Sequence, residues 1–178
     1  MKTLEEFLED LGRRESSGNY KARNQLGYIG KYQMGEPALV DVGYYKPKPT
    51  GVYNNDWNGV FTGKDGINSV DDFLNNPDVQ EKAQREYKKK QWGYLKNLGA
   101  DKYVGSKIND IEITPSGLLA ATHLVGQGNV NKYLKSNGKN VQKDGNGISL
   151  EEYLKKFAGY DVSEFTGIPF LKTKIEKM

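Results

Sequence analysis

The chain has 178 residues, 36 % of them hydrophobic and 28 % charged, with a net charge of +3. That length predicts one domain, 1–178, with a core of its own, and no apolar run is long enough to insert in a membrane. The absence of cysteine excludes disulfides and thiolate metal sites. Without a basic block, the mild positive charge suits an anionic polymer better than nucleic acid.

The N-terminus leads straight into an acidic amphipathic helix, without the basic flank and apolar core of a secretory signal. Thr3 and Glu6 form a capping box, and Leu4, Phe7, Leu8 and Leu11 give the helix its buried face. Gly12 weakens this helix without ending it. Glu15 continues the stripe of Leu4, Leu8 and Leu11, so a carboxyl is expected where the pattern asks for a core residue. Desolvation raises the proton affinity of such a carboxyl, and the negative end of its own helix acts in the same direction. A carboxyl that keeps its proton at neutral pH is what a general acid needs to break a bond with a poor leaving group, such as a glycosidic bond.

Ser16 to Tyr32 is rich in Gly, Asn and Tyr and reads as a loop with a small hairpin. Glu36-Pro37 opens a short helix through Val42 that stops at Gly43. Tyr44 to Gly66 reads as an irregular loop, longer than a connection requires and therefore a candidate functional surface. Ser69 caps a short helix over Val70 to Leu74. Asn76-Pro77 begins the longest helix, with Val79, Ala83, Tyr87, Tyr94, Leu95 and Leu98 as its packed stripe before Gly99. Within it, Lys88-Lys89-Lys90 reads as a solvated face, with contact to an anionic polymer as the alternative.

Thr114-Pro115 starts a helix of almost wholly small or apolar residues, Gly117 to Val125, which belongs in the middle of the domain. Gly126-Gln127-Gly128 breaks it, and a short helix follows from Asn129 to Leu134. Asp144 to Glu152 has part of the pattern of a calcium loop, but Gln142 stands where the first Asp should be. It reads instead as a turn into a helix opened by the capping box of Ser149 and Glu152, with Leu150, Tyr153, Leu154 and Phe157 inside.

Three blocks in this order carry a family resemblance. Glu15-Ser16-Ser17-Gly18-Asn19 and Gly27-Tyr28-Ile29-Gly30-Lys31-Tyr32-Gln33 resemble the helix-terminal Glu-Ser and the Gly-x-x-Gly-x-x-Gln turn of lytic transglycosylases and goose-type lysozymes. Ala120 to Val130 is similar to the family's Ala-Tyr-Asn-Ala-Gly-x-Gly-x-Val block. It has one extra residue before Gly126, Thr122 in place of Tyr and His123 in place of Asn.

The resemblance implies a mainly α, lysozyme-like (α+β) fold, a helical domain with a small β-hairpin and loop region flanking a catalytic cleft. It implies cleavage of the N-acetylmuramic acid to N-acetylglucosamine bond of peptidoglycan, with Glu15 protonating the bridging oxygen. Gln33 would hydrogen-bond the sugar N-acetyl group, and Ser16 would orient Glu15 or cap the turn after it. Gly27 and Gly30 would permit a tight turn close to the glycan. Tyr32, with Tyr28, Tyr153 and Tyr160, reads as a sugar-stacking ring, as a hydrogen-bond partner of Glu15 or as core. His123 reads as a core histidine or as a cleft residue, and Gly126 lies in the third block beside it. The expected partner is the glycan strand of peptidoglycan, with no cofactor, metal, nucleic acid or obligate subunit. The protein would reach the wall from the cytoplasm by release or by another export system, as a phage lysin, a tail component or a secreted toxin would.

Glycosidases that use two carboxylates hold them roughly 5 to 9.5 Å apart. From Ser16 to Gly35 there is no Asp or Glu. A mechanism in which Glu15 is acid and then base, and the muramyl 6-hydroxyl attacks, needs no partner and releases 1,6-anhydro ends. Glu36, Asp41 and Asp56 are the candidate second carboxylates for hydrolysis. A non-catalytic glycan-binding module and a chitinase-like hydrolase remain as alternatives.

Overall fold

A computed structural model describes residues 2–145 and 147–170. The fold is mainly helical, with two small antiparallel sheets. The chain forms two compact units, Leu8–Lys90 and the combination of Met1–Phe7 with Gln91–Met178. Among the described residues, no helix is long and apolar enough to cross a membrane.

In the unit Leu8–Lys90, the second half of α1 (Leu4–Ser16) buries Leu8 and Leu11. The predicted hairpin after it is reduced to single pairings, Arg23 with Ile29 and Ile29 with Met34. Left-handed backbone at Gly27, Gly30 and Gln33 breaks every run before a strand can extend. Then α2 (Glu36–Asp41) runs from Gly35, with Pro37 in its first turn.

The stretch from Tyr44 to Gly66 is more regular than its composition predicts. β1 (Tyr45–Lys46) pairs with β2 (Val60–Phe61), bringing Tyr45 opposite Phe61 and Lys46 opposite Val60. Tyr45 lies edge-on to both Trp57 and Phe61, at 5.2 and 5.1 Å between centroids, so aromatic packing fixes a sheet too short to hold by its ladder alone. A 3-10 turn follows over Lys64–Gly66. α3 (Val70–Leu74) is capped by Ser69, whose hydroxyl accepts from the Asp72 N–H at 3.0 Å.

α4 (Pro77–Asn97) differs from its predicted stripe. Val79, Ala83 and Leu95 are buried, but Tyr87 and Tyr94 are only half-buried, and Leu98 lies past the helix end and is exposed. The inward face also carries Gln80, Gln84, Lys88 and Gln91, all buried. The lysine run is therefore not a uniform solvated face: Lys89 and Lys90 are exposed, whereas Lys88 has 0 % exposure. Lys88 follows Gln80 and Gln84 at steps of four residues, so the helix turns it inward.

In the other unit, α5 (Pro115–Val125) is capped by Thr114, which accepts from the Gly117 N–H at 3.1 Å, and every residue from Ser116 to Thr122 is buried. It packs against α6 (Gln127–Lys135) and α7 (Leu150–Lys156). Ser116 Oγ donates to the Phe157 carbonyl at 2.6 Å and accepts from the Tyr160 N–H at 3.1 Å, tying α5 to the chain after α7. α6 begins two residues earlier than predicted, because Gly126 alone makes the break.

β3 (Lys107–Ile108) and β4 (Ile111–Glu112) form a two-residue hairpin whose turn, Asn109-Asp110, is left-handed at both positions. α7 is capped by Ser149 as predicted, with Leu150, Tyr153, Leu154 and Phe157 buried. Asn146, within the calcium-loop-like stretch, lies outside the described residues. Around it, Lys143 pairs with Ser149, and the Asp144 carboxylate accepts from the Ile148 N–H at 2.9 Å, so the stretch is a turn into a capped helix. A short helix, α8 (Ser163–Thr166), closes the described chain.

Candidate functional site

Glu15 is half-buried in the last turn of α1. That helix ends in paired backbone bonds, Gly18 N–H to the Gly12 carbonyl at 3.1 Å and Ser17 N–H to the Arg13 carbonyl at 2.9 Å, with Ser17 and Gly18 both left-handed. Ser16 completes the stop. Its hydroxyl donates to the Lys31 carbonyl at 2.6 Å and accepts from the Asn19 N–H at 3.1 Å. Ser16 therefore caps the following turn, one of its two predicted roles, and fastens the end of α1 to the Gly27–Gln33 segment.

That segment is held from both sides. A side chain at Gly27 would run into the Asn55 carbonyl, and one at Gly30 into the Gln80 amide. Their close approaches are thus to other parts of the protein itself, the loop at Asn55 and the α4 side chain Gln80. Gln33 is half-buried at φ 52°, and its Nε2 donates to the Gly30 carbonyl at 2.9 Å, folding the amide over its own turn. Tyr32 is 1 % exposed and its hydroxyl donates to Glu81, so the ring is a core ring without an open stacking face. Tyr28 is exposed.

Beneath the segment lies a charged cluster. The Lys31 ammonium is buried and bonded to Glu9 of α1 and, at 2.8 Å, to Glu81 of α4. Burial alone would depress the Lys31 pKa, but the bonds to Glu81 and Glu9 overcome it and leave the pKa raised. For Glu81, burial acts to raise the pKa, yet the bonds from Lys31, Tyr32 and Tyr20 lower it on balance. Gln80 locks the same region. Its Oε1 accepts from the Lys31 N–H at 2.9 Å, and its Nε2 donates to the carbonyls of Tyr20 at 2.9 Å and Phe73 at 2.8 Å.

Lys88 lies further along α4. Burial pushes its pKa down to about 7, and the negative charge of Glu15 works against that fall. Lys88, Glu81 and Gln80 were not among the predicted site residues. The spacing of Gln80, Gln84 and Lys88 on one helical face was the available signal, masked because all three are polar.

The candidate second carboxylates are differently placed. Glu36 is 1 % exposed, and its oxygens accept from the Tyr45 hydroxyl at 2.7 Å and the Asn54 N–H at 3.2 Å. Asp56 is paired with Lys48, whose hydrogen bond holds its carboxyl below the ordinary range. Asp41 is half-buried at the end of α2. In the other unit, His123 is half-buried in the last turn of α5, and Gly126 adopts φ 83° at the break before α6. Tyr153 and Tyr160 are core residues there, packed on Phe157.

The chain matches no protein-family model, no curated protein and no solved structure. The chemistry available must be read from the site. Among the described residues, no three His, Asp or Glu side chains gather as a metal-holding group. What Leu8–Lys90 offers is a half-buried carboxyl at the negative end of a helix whose last turn Ser16 fastens, with a buried amine, Lys88, that its charge acts on. Such a group is equipped to give and take a proton.

Proposed function

We propose that the protein is a peptidoglycan glycosidase of lysozyme-like fold, cutting the N-acetylmuramic acid to N-acetylglucosamine β-1,4 bond with Glu15 as general acid and then base. The single observation that carries this reading is Glu15 itself: a half-buried carboxyl at the C-terminal end of α1, followed by a turn that Ser16 bonds to the Gly27–Gln33 segment. The resemblance of these same segments to lytic transglycosylases and goose-type lysozymes supports it. Gln33, on the left-handed turn after Gly30, is the amide assigned to the substrate's N-acetyl group.

Glu15 acts without a second carboxylate in this reading. The segment from Ser16 to Gly35 supplies none, Glu36 is engaged by Tyr45 and Asn54, and Asp56 is engaged by Lys48, which leaves Asp41 at the end of α2 as the candidate for a hydrolytic alternative. The C1–O4 bond breaks with its electron pair left on O4, which takes the Glu15 proton. The muramyl 6-hydroxyl then bonds to C1 and returns its proton to Glu15, leaving a 1,6-anhydro end.

Glu15→Gln tests the assignment, since the amide keeps the shape and removes the acid. Solubilisation of purified peptidoglycan is expected to fall at least 100-fold, with sedimentation binding to intact wall unchanged. Wild-type protein that binds wall without solubilising it would make this a glycan-binding module. Turnover of chitin in preference to peptidoglycan would move the substrate to the chitinase class.

A further inference from the structure

Six large apolar side chains stand exposed among the described residues, and four of them, Leu26, Tyr28, Val52 and Tyr53, belong to two loop segments that are bonded to each other. Asn55 Nδ2 donates to the Leu26 carbonyl at 3.2 Å, and Trp57 Nε1 donates to the Gly27 carbonyl at 2.8 Å. Asn55 Oδ1 accepts from the Glu36 N–H at 2.8 Å, and a side chain at Gly35 would strike both that oxygen and the Tyr28 ring. Val52 and Tyr53 come shortly before this anchor. Exposed apolar side chains gathered in one place mark a surface that meets something else.

The surface is almost free of charge. Asn24 to Ile29 carries no charged residue, and Thr50 to Val60 carries only Asp56, which Lys48 pairs. Tyr28 and Tyr53 each join an apolar ring to a hydroxyl tip, and the exposed amide of Gln25, next to Leu26, has no partner among the described residues. Rings with hydroxyls and an amide beside them suit a sugar, whose flat C–H face lies on a ring while its hydroxyl and N-acetyl groups hydrogen-bond. The patch also adjoins the Gln33 turn. Ile29 and Met34 exchange backbone bonds at 3.1 and 2.9 Å and close the turn Gly30 to Gln33, and Tyr28 and Gly35 are the next residues outward.

We infer that Tyr28 and Tyr53 form a stacking platform for the uncharged sugars of a glycan strand, carrying the contact outward from the Gln33 turn. This rests on the reading of the protein as one that acts on peptidoglycan. The platform holds the strand and takes no part in breaking its bonds.

The test is co-sedimentation of full-length Glu15→Gln protein with purified peptidoglycan, so that binding is read apart from cutting. Adding Tyr53→Ala, or Tyr28→Ala, is expected to weaken binding about fivefold, whereas Tyr53→Trp keeps it. Chitin oligosaccharides, which have the sugars without the stem peptides, should displace the protein that retains both rings. Unchanged binding in either alanine variant, or binding that the oligosaccharides do not displace, overturns the platform whether or not the wild type cuts wall. Self-association that Tyr53→Ala abolishes, with wall binding intact, assigns the patch to a second copy of the chain and overturns it too. Weakened binding in Tyr53→Ala where the wild type solubilises no wall supports the platform and removes the glycosidase reading instead.

Discussion

Gln80 and Gln84 occupy successive turns of α4, both buried, with opposite prospects. Gln80 satisfies three backbone groups, the Lys31 N–H and the carbonyls of Tyr20 and Phe73. Gln80→Leu would leave those groups buried without their partner, and a loss of about 2–4 kcal/mol is expected, measured by urea denaturation. Neither Nε2 nor Oε1 of Gln84 has a hydrogen-bond partner among the described residues. An apolar side chain of similar volume removes that unfavourable burial, so Gln84→Met should raise stability by ~1 kcal/mol. A loss of stability in Gln84→Met would mean that the amide is engaged in solution.

At the scale of elements, the caps are the most readable parts of this chain. Thr3, Ser69, Thr114 and Ser149 each accept from a backbone N–H three residues on, as the sequence pattern predicts. Thr114→Ala and Ser149→Ala should each cost ~1 kcal/mol in thermal or urea unfolding, and neither should affect the Glu15 site. The short strands were not readable, because two-residue strands leave no alternation to detect. Tyr45 and Phe61 are fixed across 15 intervening residues by packing on Trp57, a relation that local patterning does not carry. The Asn109-Asp110 turn did have a local signature, two residues that tolerate left-handed backbone. Along α4, the apolar residues of the stripe were legible and the polar ones were not: hydropathy sends Gln80 and Lys88 outward, whereas their bonds and charges bring them in. Of the candidate site, Glu15 was legible from the helix stripe, and Ser16 only through the family-like block that contains it. Tyr32 could not be resolved between core and cleft, because its hydroxyl partner, Glu81, lies far along the chain.

For the molecule as a whole, the buried charges set a pH dependence whose sign follows from proton counts. With a Lys88 pKa of about 7 folded and about 10.4 unfolded, the unfolded chain binds more protons between these values, so stability rises with pH across that window. Above it, the raised pKa values of Lys31, Tyr32, Tyr44 and Tyr133 reverse the slope, because the folded protein then retains protons that the unfolded chain has lost. On the acid side, the lowered pKa of Glu81 contributes stability that is lost as pH falls below the carboxylate range. The unfolding temperature should therefore be higher at pH 9 than at pH 6, and Lys88→Met should reduce that difference. Equal unfolding temperatures at the two pH values would argue that Lys88 is not buried as an ionisable amine.

The most direct measurement of the central claim, that Glu15 cleaves peptidoglycan without a second carboxylate, is mass spectrometry of the soluble fragments from purified wall treated with wild-type protein and with Glu15→Gln. The account predicts 1,6-anhydro-muramyl ends from the wild type and no fragments above background from Glu15→Gln. Reducing ends alone would contradict the single-carboxylate mechanism, and fragments undiminished in Glu15→Gln would remove Glu15 from the chemistry.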